Sequence, residues 1–261
     1  MPSEVLSGLL RRDRALVLAG LAAVSAAAWA YLLFGSGLDM KRMGANAMGM
    51  MAMAPEWTAG YAALIFAMWA VMMAAMMLPS ASPTILLVAA LAQRGAPGPK
   101  AGAALFAGGY LAVWIGFSLV ATVLQWSLDR AGLLSPSMAA ASRVLAGAVL
   151  LAAGIYQWTP LKDACLRHCR SPIGFLVAHW RSDALGVVST GVRHGAYCLG
   201  CCWMLMALLF VGGLMNLAWV AAIALFVLAE KAAPWGGRMS RATGALLMLA
   251  GAAVLIETLW R

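Results

Sequence analysis

All five Cys and all three His of this 261-residue chain fall between Cys165 and Cys202. The first group is Cys165, His168 and Cys169, at separations of three and four from Cys165, so the three side chains share one face of a helix. The second is His194, Cys198, Cys201 and Cys202, a ladder along one side of a helix. Thiolates and imidazoles on one face suit a soft metal ion. A single Cys in an apolar helix reads most simply as a small buried hydrophobe; five, interleaved with three His, read as a site. Gly195 and Gly200 leave room beside the second group for a close neighbour, with the first group a candidate.

Thioethers add to this donor set. The chain holds 18 Met. Met68, Met72 and Met76 recur every four residues, and Met73 and Met77 make a neighbouring stripe. Thioethers favour Cu(I) over harder divalent ions, although such a stripe also suits plain helix packing. Residues 35–58 form a Met-rich segment with Met40, Met43, Met48, Met50, Met51 and Met53. Six Met in a loop are poorly explained by core packing, since loops run over the surface.

The elements that must position these residues are membrane spans. Hydrophobic residues make up 64% of the chain and charged ones 10%, against about 25% charged in a soluble domain. Long continuous apolar runs predict an all-α, polytopic transmembrane helical bundle, one domain over residues 1–261, rather than a barrel of short alternating strands. About seven spans are expected, near 15–34, 59–78, 103–125, 138–157, 196–214, 217–233 and 243–259. The run Ala15–Phe34 behind Arg11, Arg12 and Arg14 is longer than a signal-peptide core and is expected to stay as an anchor. Pro79 and Pro83 are expected to break the second span, leaving Thr84–Ala92 as a surface or re-entrant half-helix.

Thirteen of the 18 Lys and Arg fall on one side of this path. The positive-inside rule then places the N-terminus in the cytoplasm and the C-terminus outside. Residues 158–195 become a basic, Cys/His-containing inner segment, and 35–58 an outer loop. Thiols on the inner side stay reduced; the inverted orientation would admit disulfides. The net charge of +9 reads as topology signalling and contact with anionic lipid, not as a nucleic-acid surface. Glu230 and Lys231, at an inner span end, are expected to pair or snorkel; His179 reads as a loop residue and Asn216 as the cap of a tight outer turn.

No Ser-His-Asp arrangement, phosphate loop, dinucleotide fingerprint or carboxylate pair is present, so no enzyme is expected. The residues point to binding of a soft ion, foremost Cu(I), by Cys165, His168, Cys169, His194, Cys198, Cys201 and Cys202, with Met68, Met72, Met73, Met76 and Met77 beside them. A copper-donor or copper-acceptor protein would be the partner. Two rivals remain: a membrane thiol–disulfide protein, for which Cys198 and Cys201 supply a Cys-x-x-Cys pair, and a non-catalytic subunit of a membrane complex.

The stretches Met68–Pro79, Tyr156–Pro172 and His194–Trp203, with Val211–Asn216 and Glu230–Pro234, resemble the bacterial predicted metal-binding integral membrane protein family. The resemblance runs from about Trp57 to Leu255. Members of that family are sometimes labelled copper chaperones. It implies a metal-binding membrane bundle; the Met-rich segment before Trp57 lies outside it.

Overall fold

A computed structural model describes residues 2–35, 57–92, 98–135 and 138–260. The chain is all-α, with no strand among the described residues. Helix α1 (Pro2–Ala30) runs on through a π-turn, Tyr31–Gly35. It is followed by α2 (Ala59–Leu91), α3 (Pro99–Arg130), α4 (Arg143–Tyr156), α5 (Pro160–Arg170), α6 (Pro172–His179), α7 (Ala184–Ala207), the short α8 (Leu209–Gly212), α9 (Leu217–Ala232) and α10 (Gly236–Leu259). Five helices are long and apolar enough to cross a membrane, or up to six if the α4–α5 pair, bent by 65°, is one broken span. The sixth expected run, α9, has 16 residues, about 24 Å at ~1.5 Å per residue. Leu119, Val120, Leu225, Leu246 and Leu249 are exposed on the outside of the bundle, an apolar surface suited to lipid.

Helix α2 is the centre of the packing, with Ile65, Trp69, Met72, Met73, Met76, Met77 and Ile85 all buried. The expected break at Pro79 and Pro83 does not occur: both prolines lie inside one helix of 33 residues. Pro83 has no N–H for the Pro79 carbonyl one turn back. Ser82 Oγ donates to that carbonyl instead, at 2.8 Å. Ser80 Oγ and Tyr110 Oη both donate to the Met77 carbonyl, at 2.9 and 3.2 Å. The Ser82 hydroxyl thus satisfies the carbonyl that Pro83 leaves without a backbone donor.

Other boundaries also move. Helix α7 begins at Ala184, well before the expected start at 196, and α10 begins at Gly236 rather than near 243. The segment 158–195 is mostly helical, holding α5, α6 and the first turns of α7. Asp183 caps α7 by accepting from Gly186 N–H, at 3.0 Å; this bond holds the carboxyl below its ordinary range. Thr159 caps α5 ahead of Pro160, which sets the sharp turn after α4. Asn216 accepts from Trp219 N–H and caps α9.

Glycines bring two helix pairs together. A Cβ on Gly109 of α3 would collide with the Val188 carbonyl of α7, and one on Gly191 would collide with the Phe106 carbonyl. Gly195 faces Tyr110 and Val113 of α3. Gly191 and Gly195 are four apart, the spacing that lets two backbones approach. On the far side, Gly147 and Gly154 of α4 meet Gly244 and Gly251 of α10 in the same way.

Candidate metal centre

Seating α7 on α3 turns the His194–Cys198–Cys201–Cys202 face toward the interior. Cys198, Cys201 and Cys202 are buried, with exposures of 1% or less. Helix α5 approaches the same stretch of α7. Gly200 makes room for it, since a Cβ there would stand 2.7 Å from Cys165 Sγ. Tyr156 Oη, at the end of α4, donates to the Gly200 carbonyl and ties the turn before α5 to α7. Cys169 Sγ then lies 4.0 Å from Cys201 Sγ. From the other side α2 presents Met77, whose Sδ is 4.0 Å from Cys202 Sγ. Three helices therefore deliver sulfur to one interior region: Met77 from α2, Cys169 from α5, and Cys198, Cys201 and Cys202 from α7.

The thiols are free and partly turned back on their own helix. Cys201 Sγ and Cys202 Sγ donate to the Cys198 carbonyl, at 3.1 and 2.9 Å. Among the described residues no three Cys, His, Asp or Glu donors are arranged to close on a metal ion.

Cys198 Sγ is different. It lies 3.0 Å from Lys231 Nζ and 3.0 Å from Tyr110 Oη. Lys231 also donates to Ser80 Oγ, at 3.0 Å, and it makes no ion pair with a carboxylate among the described residues. Its neighbour Glu230 points about 100° away around α9 and pairs with Lys162, 2.9 Å away, where both side chains are fully buried. The expectation that Glu230 and Lys231 pair with each other or snorkel is therefore replaced by two separate buried contacts.

The remaining expected residues divide. Met68, Met72, Met73 and Met76 are buried with Met77 but are packed among core side chains. His168 is stacked on Tyr197, with ring centroids 4.1 Å apart. His179 ends α6 rather than sitting in a loop. His194 is 3% exposed and its Nδ1 has no hydrogen-bond partner. The Met-rich segment lies outside the described residues, apart from its ends at Gly35 and at Trp57 and Thr58.

Sequence reasoning missed Lys231, Tyr110 and Ser80. A signal for Lys231 existed: on an apolar helix it has no acid three or four residues away. Tyr110 and Ser80 carried none, because only the packing of α2, α3 and α7 brings them to the thiols.

Four thiols and a thioether form a soft donor set, suited to Cu(I). A family model described as a copper chaperone, PpoB2, matches residues 66–254. The chain belongs to this copper chaperone family. The match takes in every Cys, every His and the Met68–Met77 stripe, whereas the Met-rich segment before Trp57 falls outside the copper chaperone match. Comparison with curated proteins finds no match, and comparison with solved structures finds none.

Proposed function

We propose that this copper chaperone family member is a multi-pass protein of the bacterial inner membrane that holds Cu(I) as cargo on Cys169, Cys198, Cys201, Cys202 and Met77. The convergence of sulfur from α2, α5 and α7 carries the reading. Cu(I) accepts two or three soft donors, and small rotations of Cys201 and Cys202 away from the Cys198 carbonyl would present them. Two thiolates around one Cu(I) leave a net charge of −1, and Lys231 supplies the compensating ammonium in a low-dielectric interior. The Met68/Met72/Met76 stripe would conduct the ion from the outer Met-rich segment toward Met77. A copper donor or acceptor protein completes the pathway, and no reaction is assigned to the chain.

The test is metal binding by the full chain in lipid nanodiscs, under anaerobic reducing conditions. Cu(I) should be held against a competing chelator while Zn(II) is not, and Cys198→Ser with Cys202→Ser should abolish retention. Retention unchanged by those substitutions would refute the sulfur site. One observation favours the thiol–disulfide rival, namely the 4.0 Å separation of Cys169 and Cys201. Trapping of cellular thiols decides between them: a Cys169–Cys201 disulfide that cycles with redox conditions, without copper, would replace the copper reading.

A further inference from the structure

The three histidines are gathered around two aromatic rings, Phe175 and Tyr197. His168 stacks on Tyr197, and His179 stacks on Phe175 with centroids 5.0 Å apart. His179 also meets Tyr197 edge-on, at 6.5 Å, and Phe175 lies 5.1 Å from His194. His168 and His179 line the same surface cavity, of about 220 Å³.

Both cavity imidazoles are held in one tautomer. His168 Nδ1 lies 2.8 Å from the Ala164 carbonyl, and His179 Nδ1 lies 3.0 Å from the Phe175 carbonyl. A carbonyl only accepts, so in the neutral ring each Nδ1 carries the proton and each Nε2 presents its lone pair. That is the arrangement by which proteins orient a metal-binding imidazole. The cavity's Arg167 is paired with Asp163, at 2.6 Å, which offsets the one fixed positive charge on its wall.

Two features connect the cavity to the sulfurs. His194, one turn before Cys198 on α7, is buried with Nδ1 unpartnered. A buried nitrogen without a partner costs free energy, and a ligand that takes it up relieves that cost. Cys169, next to His168 in α5, is the one partly exposed thiol, and it lies 4.0 Å from buried Cys201.

We infer that His168 and His179 form a second, transient site for a soft monovalent cation: a port through which Cu(I) passes between the inner end of the protein and the sulfur store, by way of His194 or Cys169. The inference rests on the proposed function and adds where the cargo is exchanged. Two neutral imidazoles bind Cu(I) more weakly than thiolates, which suits a site that must let go.

The test uses the full chain in nanodiscs, loaded with Cu(I) under anaerobic reducing conditions. Bathocuproine disulfonate is the withdrawing chelator, followed by stopped-flow absorbance. The paired variant His168→Gln/His179→Gln should slow withdrawal about tenfold, equivalent to about 1.4 kcal/mol on the barrier, with equilibrium affinity unchanged. His179→Met, which restores a soft donor, should exchange faster than His179→Gln. A wild-type rate in the paired variant overturns the port. So does an affinity that falls by the same factor as the rate, because the imidazoles would then belong to the store. A wild-type protein whose thiols hold no Cu(I) before chelator is added would overturn the function itself, and with it the port.

Discussion

At the scale of single residues, Lys231 governs the charge of the centre. Burying an ammonium is costly unless an anion compensates it. Here the acceptors within reach are Cys198 Sγ and Ser80 Oγ. The ammonium lies directly against the Cys198 sulfur. On the proposed function, it would balance the excess negative charge of a bis-thiolate Cu(I) complex. Lys231→Met should therefore weaken Cu(I) binding between about ten- and a hundredfold, the range for groups that support metal ligands without touching the metal. Lys231→Arg, which keeps the charge, should lose less. Competition with a Cu(I) chelator measures both, and an affinity that rises in Lys231→Met would mean that the ammonium competes with the ion rather than supporting it.

At the scale of elements, two adjacent glycines in α3 make a sharp comparison. Gly108 faces open space, while a Cβ on Gly109 would strike the α7 backbone at Val188. Gly108→Ala should be neutral or stabilising by up to about 1 kcal/mol, from helix propensity alone. Gly109→Ala should cost about 1–3 kcal/mol, as overpacking does, and should loosen the seat that aims Cys198 inward. Thermal melting in detergent, with Cu(I) retention read beside it, separates the two.

Such seats explain what could be read from sequence. The Cys198–Cys202 ladder was legible because helical spacing fixes which residues share a face. Its meeting with Cys169 was not, because that depends on Gly200 admitting α5. The start of α7 was obscured by Gly186, Gly191 and Gly195 and by β-branched Val187, Val188 and Thr190, which lower local helix preference; packing on α3 outweighs them. Pro79 and Pro83 signalled a break because the local rule counts lost N–H donors. The rule does not see that Ser82 supplies one from its side chain.

At the scale of the whole molecule, contacts between helix ends fall into two sets. Trp57 donates to Asp129, at 2.6 Å, Arg143 approaches Glu257, at 3.9 Å, and Ala140 N–H donates to the Phe210 carbonyl, at 2.7 Å. The other set joins Lys162 to Glu230, Arg170 to the Ala233 and Pro234 carbonyls, and Ser240 to Gln157. An alternating path through a bilayer requires such a division. The second set belongs to the side richer in Lys and Arg, so the proposed orientation puts it in the cytoplasm. A membrane-impermeant maleimide should then label Cys169 in inside-out vesicles and spare it in right-side-out spheroplasts. The reverse pattern would invert the topology and move the thiols to an oxidising compartment.

Glu230 and Lys231 occupy one turn of α9 and pull in different directions, one gripping α5 and the other gripping Cys198 and Ser80. That turn works as a yoke. If Lys231 shifts when cargo arrives, the strain falls on the neighbouring carboxylate and, through Lys162, on the helix that bears Cys165 and Cys169. Arrival of the ion on one sulfur would thus tug the helix carrying another, so that occupancy is felt mechanically where α5 meets α9.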